Sequence, residues 1–333
     1  MRQWVLAFGV LALLLFASAG STPASPNRTG ISKHRVAHRV AGWHRVHASS
    51  LLPESLDIPR SGLREVNAAA AVLMDAKTGQ VLYARNPDEP LPPASVTKIL
   101  TALVILERGR LSDTVVVSQE AARVGGYRLG LRRGQQLSLQ DLLAAILIRS
   151  ANDAAVAAAE HVGQGLEGYV ALMNAKAEEL GMLHSHFANP HGLDEPGHFT
   201  TARDMAVLTR VALEQPAFAR LVRTREISVT IWNPGRRGLV ARARPILSHN
   251  KLLGRLEGAD GVKTGYTDGA GRCLVASASR GDQRMIAVLL NDPRRWSDAA
   301  SLLEFGFEAV GSAAGVRDGD RPSPLARAAV GVN

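Results

Sequence analysis

Five residues of this chain, Ser95, Lys98, Ser150, Asn152 and Lys263, fall in three short segments whose side chains could together carry out acyl transfer. The segments are Ser95-Val96-Thr97-Lys98, Ser150-Ala151-Asn152 and Lys263-Thr264-Gly265. A hydroxyl supplies a nucleophile, a lysine amine supplies either a base or an anion clamp, and an amide holds a polar partner. None of the segments is distinctive alone. A second Ser-x-x-Lys joins Ser248 to Lys251, Ser-x-Asn recurs at residues 25–27 and 248–250, and Lys-Thr-Gly recurs at residues 77–79. The surrounding sequence must choose among them.

The first Lys-Thr-Gly lies between two strand-like runs, residues 68–74 and 81–83, and is expected to be a hairpin turn with Gly79 where positive φ is needed. The match at Ser25 sits in a Pro-rich stretch of linker composition, and Ser248 follows Pro245 in a Gly-interrupted polar loop. Ser95 differs. Pro92-Pro93-Ala94 leads into an apolar run over residues 99–106 that ends at Glu107-Arg108-Gly109, the pattern of a buried helix starting near Ser95. Residues three apart share a helix face, so Ser95 Oγ and Lys98 Nζ can meet where the helix N-terminus favours developing negative charge. A Ser cap followed by a surface lysine would show the same letters, but the apolar residues on both sides of Lys98 argue for burial.

A short strand is expected over residues 114–117, then a basic, glycine-punctuated loop over 125–134. Residues 137–148 read as a buried helix capped by Ser138, delivering Ser150 and Asn152 as a tight turn before an Ala-rich helix over 153–161. Such a junction holds two polar side chains rigidly toward a cleft, although a plain capping turn has the same composition. Helices follow over 168–182 and 201–214, with basic irregular structure over 232–245. From Gly261 the pattern becomes three antiparallel strands, 262–266, 274–278 and 285–290, closed by a helix over 297–307. Strands at both ends with helices between them give an α+β fold, helices packed on an antiparallel sheet.

The chain has 333 residues, 46% of them hydrophobic, enough for one large core or two modest ones. Aromatic residues make up 5%, too few for a base-stacking platform, so nucleic acid is not an expected partner. Residues 1–19 read as a secretory signal, with Arg2, an apolar stretch over 4–16 and Ala17-Ser18-Ala19 before Gly20. An uncleaved membrane anchor is the alternative, against which the stretch is shorter than the roughly 20 residues a spanning helix needs. The chain is therefore expected to be exported, to the periplasm or outside the cell. Cys273 is the only cysteine and reads as a small buried hydrophobe in a strand.

The formal charge of +9 is partly gathered in residues 28–47, which hold five Lys or Arg, four His and no acid. That segment is expected to be disordered, either a solvated linker or a contact to anionic wall polymer or membrane headgroups. The expected organisation is signal 1–19, basic linker 20–62, folded unit 63–311 and disordered tail 312–333. Four histidines over 184–198 invite a metal, but the segment is broken by Pro and Gly and has neither a His-Glu-x-x-His helix nor Cys ligands. No metal and no cofactor are expected.

The ordered trio, set in Pro-Ala-Ser-Val-Thr-Lys, Ser-Ala-Asn-Asp-Ala and Asp-Gly-Val-Lys-Thr-Gly-Tyr-Thr, with Thr-Ala-Arg-Asp-Met at residues 201–205, resembles the low-molecular-mass penicillin-binding proteins. These are serine D-alanyl-D-alanine carboxypeptidases, and the likeness runs from about Val66 to Phe307. It implies a penicillin-recognising serine transferase fold with a helical subdomain. It also implies removal of the terminal D-Ala from peptidoglycan stem peptides, with β-lactam antibiotics as covalent inhibitors. Carried over by position, Ser95 is the acylated nucleophile, Lys98 its proton acceptor, Ser150 a proton relay and Asn152 a holder of the substrate amide. Backbone N–H groups of Ser95 and Tyr266 would form the oxyanion hole. Lys263, Thr264 and Arg295 would receive the substrate carboxylate, with Arg294 the alternative to Arg295, and Gly265 and Tyr266 would also bind substrate.

The chain is too short for the second β domain and C-terminal amphipathic helix of larger members, so a compact form is expected. That form also resembles members acting as D,D-endopeptidases on cross-links, through Ala-Gly-x-Cys-Leu-Val at residues 270–275. A β-lactamase would need a carboxylate to activate the deacylating water, and no Glu-x-x-x-Asn follows Asn152; Asp194-Glu195 is a poor substitute. A noncatalytic wall-binding protein is a remote reading, and a Ser-His-Asp hydrolase lacks its Gly-x-Ser-x-Gly elbow.

Overall fold

The computed structural model describes residue 63 and residues 65–316. The segments expected to be a signal (1–19) and a basic linker (20–62) lie outside them, as does the part of the expected tail (312–333) beyond Val316. Strands β1 (Ala70–Asp75) and β2 (Val81–Arg85) form the expected hairpin, with Gly79 in the turn at φ 78°. Helix α1 (Lys98–Arg108) follows a 3-10 turn over Ala94–Thr97. Strand β3 (Thr114–Val116), helix α2 (Gln119–Arg123), strand β4 (Gln136–Ser138) and helices α3 (Leu139–Ala144), α4 (Asn152–Gly163), α5 (Leu166–Glu179), α6 (Ala202–Glu214) and α7 (Pro216–Val222) come next. The hairpin β5 (Glu226–Gly235) and β6 (Gly238–Leu247), strands β7 (Ala259–Thr267), β8 (Gly271–Arg280) and β9 (Gln283–Leu290), and helix α8 (Arg295–Val316) complete the order.

The main sheet is antiparallel in the order β2-β1-β9-β8-β7, so the first and last strands of the described residues pair within it. Alternate residues of β1 serve different layers. Ala71 and Leu73 pack with Leu302, Leu303 and Phe307 of α8, whereas Val72 and Met74 join the helical core holding Ile99 and Leu103. Burial on both faces explains why these strands read as unbroken apolar runs rather than alternating ones. Each buried Leu, Ile or Val contributes on the order of 1.5–3 kcal/mol by area, an upper figure given a partly collapsed unfolded chain. α8 outruns the expected 297–307 at both ends because Trp296 and Val310 extend the same packed stripe.

One expectation is overturned. Residues 232–245 are not irregular but belong to the β5–β6 hairpin, closed by a two-residue turn at Arg236 and Arg237 in a second sheet ordered β3-β4-β5-β6. β6 is the outer strand and almost every residue on it is exposed, so it carries none of the apolar alternation that marks a half-buried strand. Pro245 is tolerated within β6 because that strand is an edge.

Candidate active site

Ser95 stands in the 3-10 turn before α1 and its side chain caps nothing. The turn is held from below. Ala94 sits at φ 50°, in a region costly for a residue with a Cβ. Its carbonyl accepts from Thr97 Oγ1 at 2.8 Å, and Thr97 Oγ1 lies 2.9 Å from His198 Nε2. His198 Nδ1 accepts the Ala188 N–H at 3.0 Å, so the proton is on Nε2, which donates to Thr97. Burial depresses the His198 pKa to about 4, keeping the ring neutral near neutral pH. Gly192 lies against the same turn: a Cβ there would come within 1.9 Å of the Ala94 carbonyl oxygen.

Lys98 is fully buried at the start of α1. Its Nζ meets Ser95 Oγ at 2.9 Å, Asn152 Oδ1 at 2.7 Å and the His191 carbonyl oxygen. Asn152 Nδ2 donates to the Gly125 carbonyl at 2.8 Å, which turns Oδ1 toward the lysine. Burial, and then the nearby charge of Lys263, hold the Lys98 pKa well below the usual lysine range. A neutral amine has two N–H groups and one lone pair. The Asn152 and His191 oxygens can only accept, so they take the two N–H groups, and the lone pair is left for the one partner able to donate, the Ser95 hydroxyl. A serine whose proton has that exit is competent to attack an acyl carbon.

Ser150 arrives by a different local device. α3 widens into a π-helical turn over Ala145–Arg149, and Ser150 ends it in the left-handed region at φ 62°. There its Oγ accepts from Lys263 Nζ at 2.8 Å. Lys263 projects from β7 and its Nζ also reaches the Thr264 carbonyl at 2.9 Å. Burial, and then Arg295, lower the Lys263 pKa to about 7. The three polar segments, far apart in sequence, thus converge on one spot.

Over them opens a cleft of about 620 Å³. Ser95, Ser150, Thr264, Gly265, Tyr266 and Arg295 line it, while Lys98, Asn152 and Lys263 lie buried beneath. Arg295 donates to the Gly265 and Cys273 carbonyls at 2.6 and 3.0 Å, which aims it along β7; Arg294 turns away toward Asp298 and the Glu65 carbonyl. Asn152 has both ends of its amide engaged inside the protein, so in this arrangement it orients Lys98. Holding a substrate amide would require giving up one of those contacts.

Several cleft residues were not singled out from the sequence. Arg272 adds charge near Arg295, and Lys251, set aside above with the second Ser-x-x-Lys, adds more to the lining; no acid lines the cleft. Tyr127 stacks edge-on with His249, whose Nε2 faces Arg149 Nη1 at 2.9 Å. The second Ser-x-x-Lys is in a loop, as expected, yet that loop is a cleft wall: Ser248 Oγ accepts the Asn250 N–H at 3.2 Å rather than meeting Lys251. Asp194 and Glu195 are tied elsewhere, to Thr267 and Gly269 and to Asn189 respectively. Among the described residues no group of three or more His, Cys, Asp or Glu could hold a metal ion. His186, His191 and His198 each make separate contacts instead.

Residues 57–294 match the sequence profile of D-alanyl-D-alanine carboxypeptidase. The chain is 38% identical over 248 residues to D-alanyl-D-alanine carboxypeptidase DacF of Bacillus subtilis, covering 72% of this chain and 62% of the relative. It is 36% identical over 244 residues to DacB2 of Mycobacterium tuberculosis, covering 71% of this chain and 81% of that one. Its fold is similar to the crystal structure of the Streptomyces K15 DD-transpeptidase, at TM-score 0.70 and 27% identity over 74% of this chain and 99% of that one. A D-alanyl-D-alanine carboxypeptidase structure from Mycobacterium tuberculosis superimposes at TM-score 0.66 with 33% identity, over 74% and 93% of the two chains. The matched region therefore spans about three-fifths of the Bacillus relative, at 62%. Sequence and fold agree, and the chain belongs to the D-alanyl-D-alanine carboxypeptidase family, its α+β architecture that of the penicillin-recognising DD-peptidases.

Proposed function

We propose that the protein is a serine D-Ala-D-Ala carboxypeptidase acting on peptidoglycan stem peptides outside the cytoplasm. The observation that carries this reading is the fully buried Lys98 amine 2.9 Å from Ser95 Oγ, its pKa held well below the usual lysine range by burial and then by Lys263. Ser95 Oγ attacks the carbonyl of the penultimate D-Ala while its proton passes to Lys98 Nζ. Backbone N–H groups of Ser95 and Tyr266 receive the oxyanion. As the C–N bond breaks, the proton travels through Ser150 to the departing amine, and water then releases the acyl group. The substrate's free carboxylate is drawn to the cleft, whose lining holds no acid and includes Thr264, Arg295, Arg272 and Lys251. A β-lactam enters the same route and stops at the acyl-enzyme, because among the described residues no carboxylate lines the cleft to activate water. Wall association, aided by the basic segment over residues 28–47, belongs to the same reading.

Mass spectrometry after penicillin treatment should place one adduct on the peptide containing Ser95, and a stem pentapeptide should release D-Ala. An adduct elsewhere sinks the mechanism. Cleavage of a cross-linked dimer without D-Ala release would instead favour the endopeptidase.

The pH dependence follows from the two lysines. Lys98 works as a base only once it has lost its proton, so kcat/KM rises with pH on the acid side. Lys263 holds an anion only while charged, so kcat/KM falls again above about 7. Stability should move the other way on that limb. The unfolded chain keeps lysine protons up to about 10.5 that the folded chain has already lost, so urea midpoints should rise between pH 7 and 10.

A further inference from the structure

The cleft has one boundary that the transfer chemistry does not call on. Tyr127 belongs to the loop between α2 and β4, and His249 to the loop between β6 and β7, yet their rings meet edge-on with centroids 5.2 Å apart. Both line the cleft with Ser150, and both are tied to the segment that carries it. The Tyr127 carbonyl accepts the Asn152 N–H at 2.7 Å, and Arg149 Nη1 lies 2.9 Å from His249 Nε2. The two walls of the cleft therefore touch beside Ser150.

Both sides of this contact are anchored. A Cβ on Gly126 would come within 2.7 Å of Asn152 Nδ2, so the Tyr127 loop already lies hard against Asn152. A guanidinium only donates, so His249 Nε2 accepts from Arg149 and the neutral ring carries its proton on Nδ1. Burial, then the charges of Lys263, Arg149 and Arg295, lower the His249 pKa to about 4, which keeps the ring in that state near neutral pH. Tyr127 is 57% exposed, and His249 is the one ring it meets among the described residues. Removing His249 leaves the tyrosine without that support.

The place of the contact bears on the leaving group. Under the function proposed above, the departing amine takes its proton through Ser150 while the carboxylate on the same carbon turns to Thr264 and Arg295. The leaving residue thus occupies the part of the cleft that the two rings bound. A terminal D-Ala brings a methyl group there, whereas a cross-link brings a D-centre whose long side chain carries a second stem. We propose that the Tyr127–His249 contact is a specificity-determining wall, which admits a terminal D-Ala and obstructs the D-centre of a cross-link. The inference rests on the acyl-enzyme reading and adds to it the choice of leaving group. The chain acts as a carboxypeptidase while the rings meet, and as an endopeptidase as well once they part.

The test gives the full chain two substrates with the same acyl half, a stem pentapeptide and a cross-linked dimer of the same stem. Both pass through one acyl-enzyme, so the ratio of their kcat/KM values reports the leaving-group side alone. The parent should favour the pentapeptide. Tyr127→Ala and His249→Ala should each raise the dimer-to-pentapeptide ratio by at least about tenfold, the low end of what one misfitted methylene costs in a pocket. The double variant should gain little beyond either, because each single change already breaks the contact. Tyr127→Phe, which keeps the ring, should retain the parental ratio. The ratio is internal to each preparation, so a partly unfolded variant cannot imitate the effect, and a change that merely loosens Asn152 lowers both rates together. A ratio within about threefold of the parent's in both alanine variants overturns the inference, since that is less than a single methylene is worth. Additive effects in the double variant, lost selectivity in Tyr127→Phe, or a parent that cleaves the dimer as fast as the pentapeptide overturn it too. A parent that acts on neither substrate defeats the acyl-enzyme reading itself, and the inference with it.

Discussion

Lys98→Arg is expected to slow acylation of Ser95 by a fluorescent penicillin by about 10²–10⁴, the range for loss of a positioned base. The variant keeps a cation and several donors near Asn152 and the His191 carbonyl, but a guanidinium cannot surrender its proton in a protein. Lys98→Met, which removes the charge as well, should lose about as much. The pair separates two accounts of the lysine. If it worked as a fixed positive charge steadying the serine oxyanion, arginine would rescue much of the rate. More than a tenth of the parental rate in Lys98→Arg, measured by stopped-flow labelling, would refute the base. Circular dichroism should show Lys98→Met folded, since the depressed Lys98 pKa means that its charge costs stability rather than providing it. Lys98→Arg keeps a charge in the same buried site, so its rate is read on protein whose dichroism matches the parent's.

The second large effect is on stability. Asp153 is fully buried at the start of α4, one residue after Asn152. Its carboxylate accepts from Leu129 N–H at 2.8 Å, Gly130 N–H at 2.7 Å, Leu131 N–H at 2.8 Å and Ala154 N–H at 3.0 Å. Asp153→Ala leaves those buried donors without a partner, a loss of about 3–5 kcal/mol. At roughly 2–4 °C per kcal/mol for a domain of this size, the melting temperature should fall by about 6–20 °C. Activity should fall with it, because the loop that Asp153 ties down also presents the Gly125 carbonyl that turns Asn152 toward Lys98. Asp153→Asn keeps one acceptor oxygen and should lie between parent and Ala. A melting temperature within 2 °C of the parent for Asp153→Ala would show that the loop stands without it.

The sequence made the acyl-transfer trio readable because each segment adjoins an unmistakable local signal: two prolines before Ser95, the Ser138 cap before Ser150, the strand run around Lys263. Ser138 does accept the Asp141 N–H, and Thr201 the Asp204 N–H, as capping chemistry requires. What stayed hidden is whatever long-range contact decides. Nothing near Asp153 reveals that its carboxylate organises residues 129–131, and nothing near His249 places it opposite Tyr127. Adjacent residues such as Arg294 and Arg295 cannot be told apart by composition. They separate only because the start of α8 points one toward β7 and the other toward Asp298. The β5–β6 hairpin was missed for the opposite reason. β5 does turn Val229 and Ile231 inward between polar neighbours, but β6 turns Leu239, Ala241 and Ala243 outward and Arg242 and Arg244 to the inner face, so the polarity expected of a strand is inverted there.

The acceptor that His191 offers Lys98 is a main-chain oxygen, supplied whatever residue occupies that position. Substitution at 191 therefore leaves the contact in place, and the loop is free to drift in sequence without disarming the amine. Only a change that moves the chain itself can do that, such as a side chain at Gly192, where the Ala94 carbonyl leaves no room for one. Mutational tolerance should thus switch abruptly between two consecutive positions, permissive at the first and nearly absolute at the second.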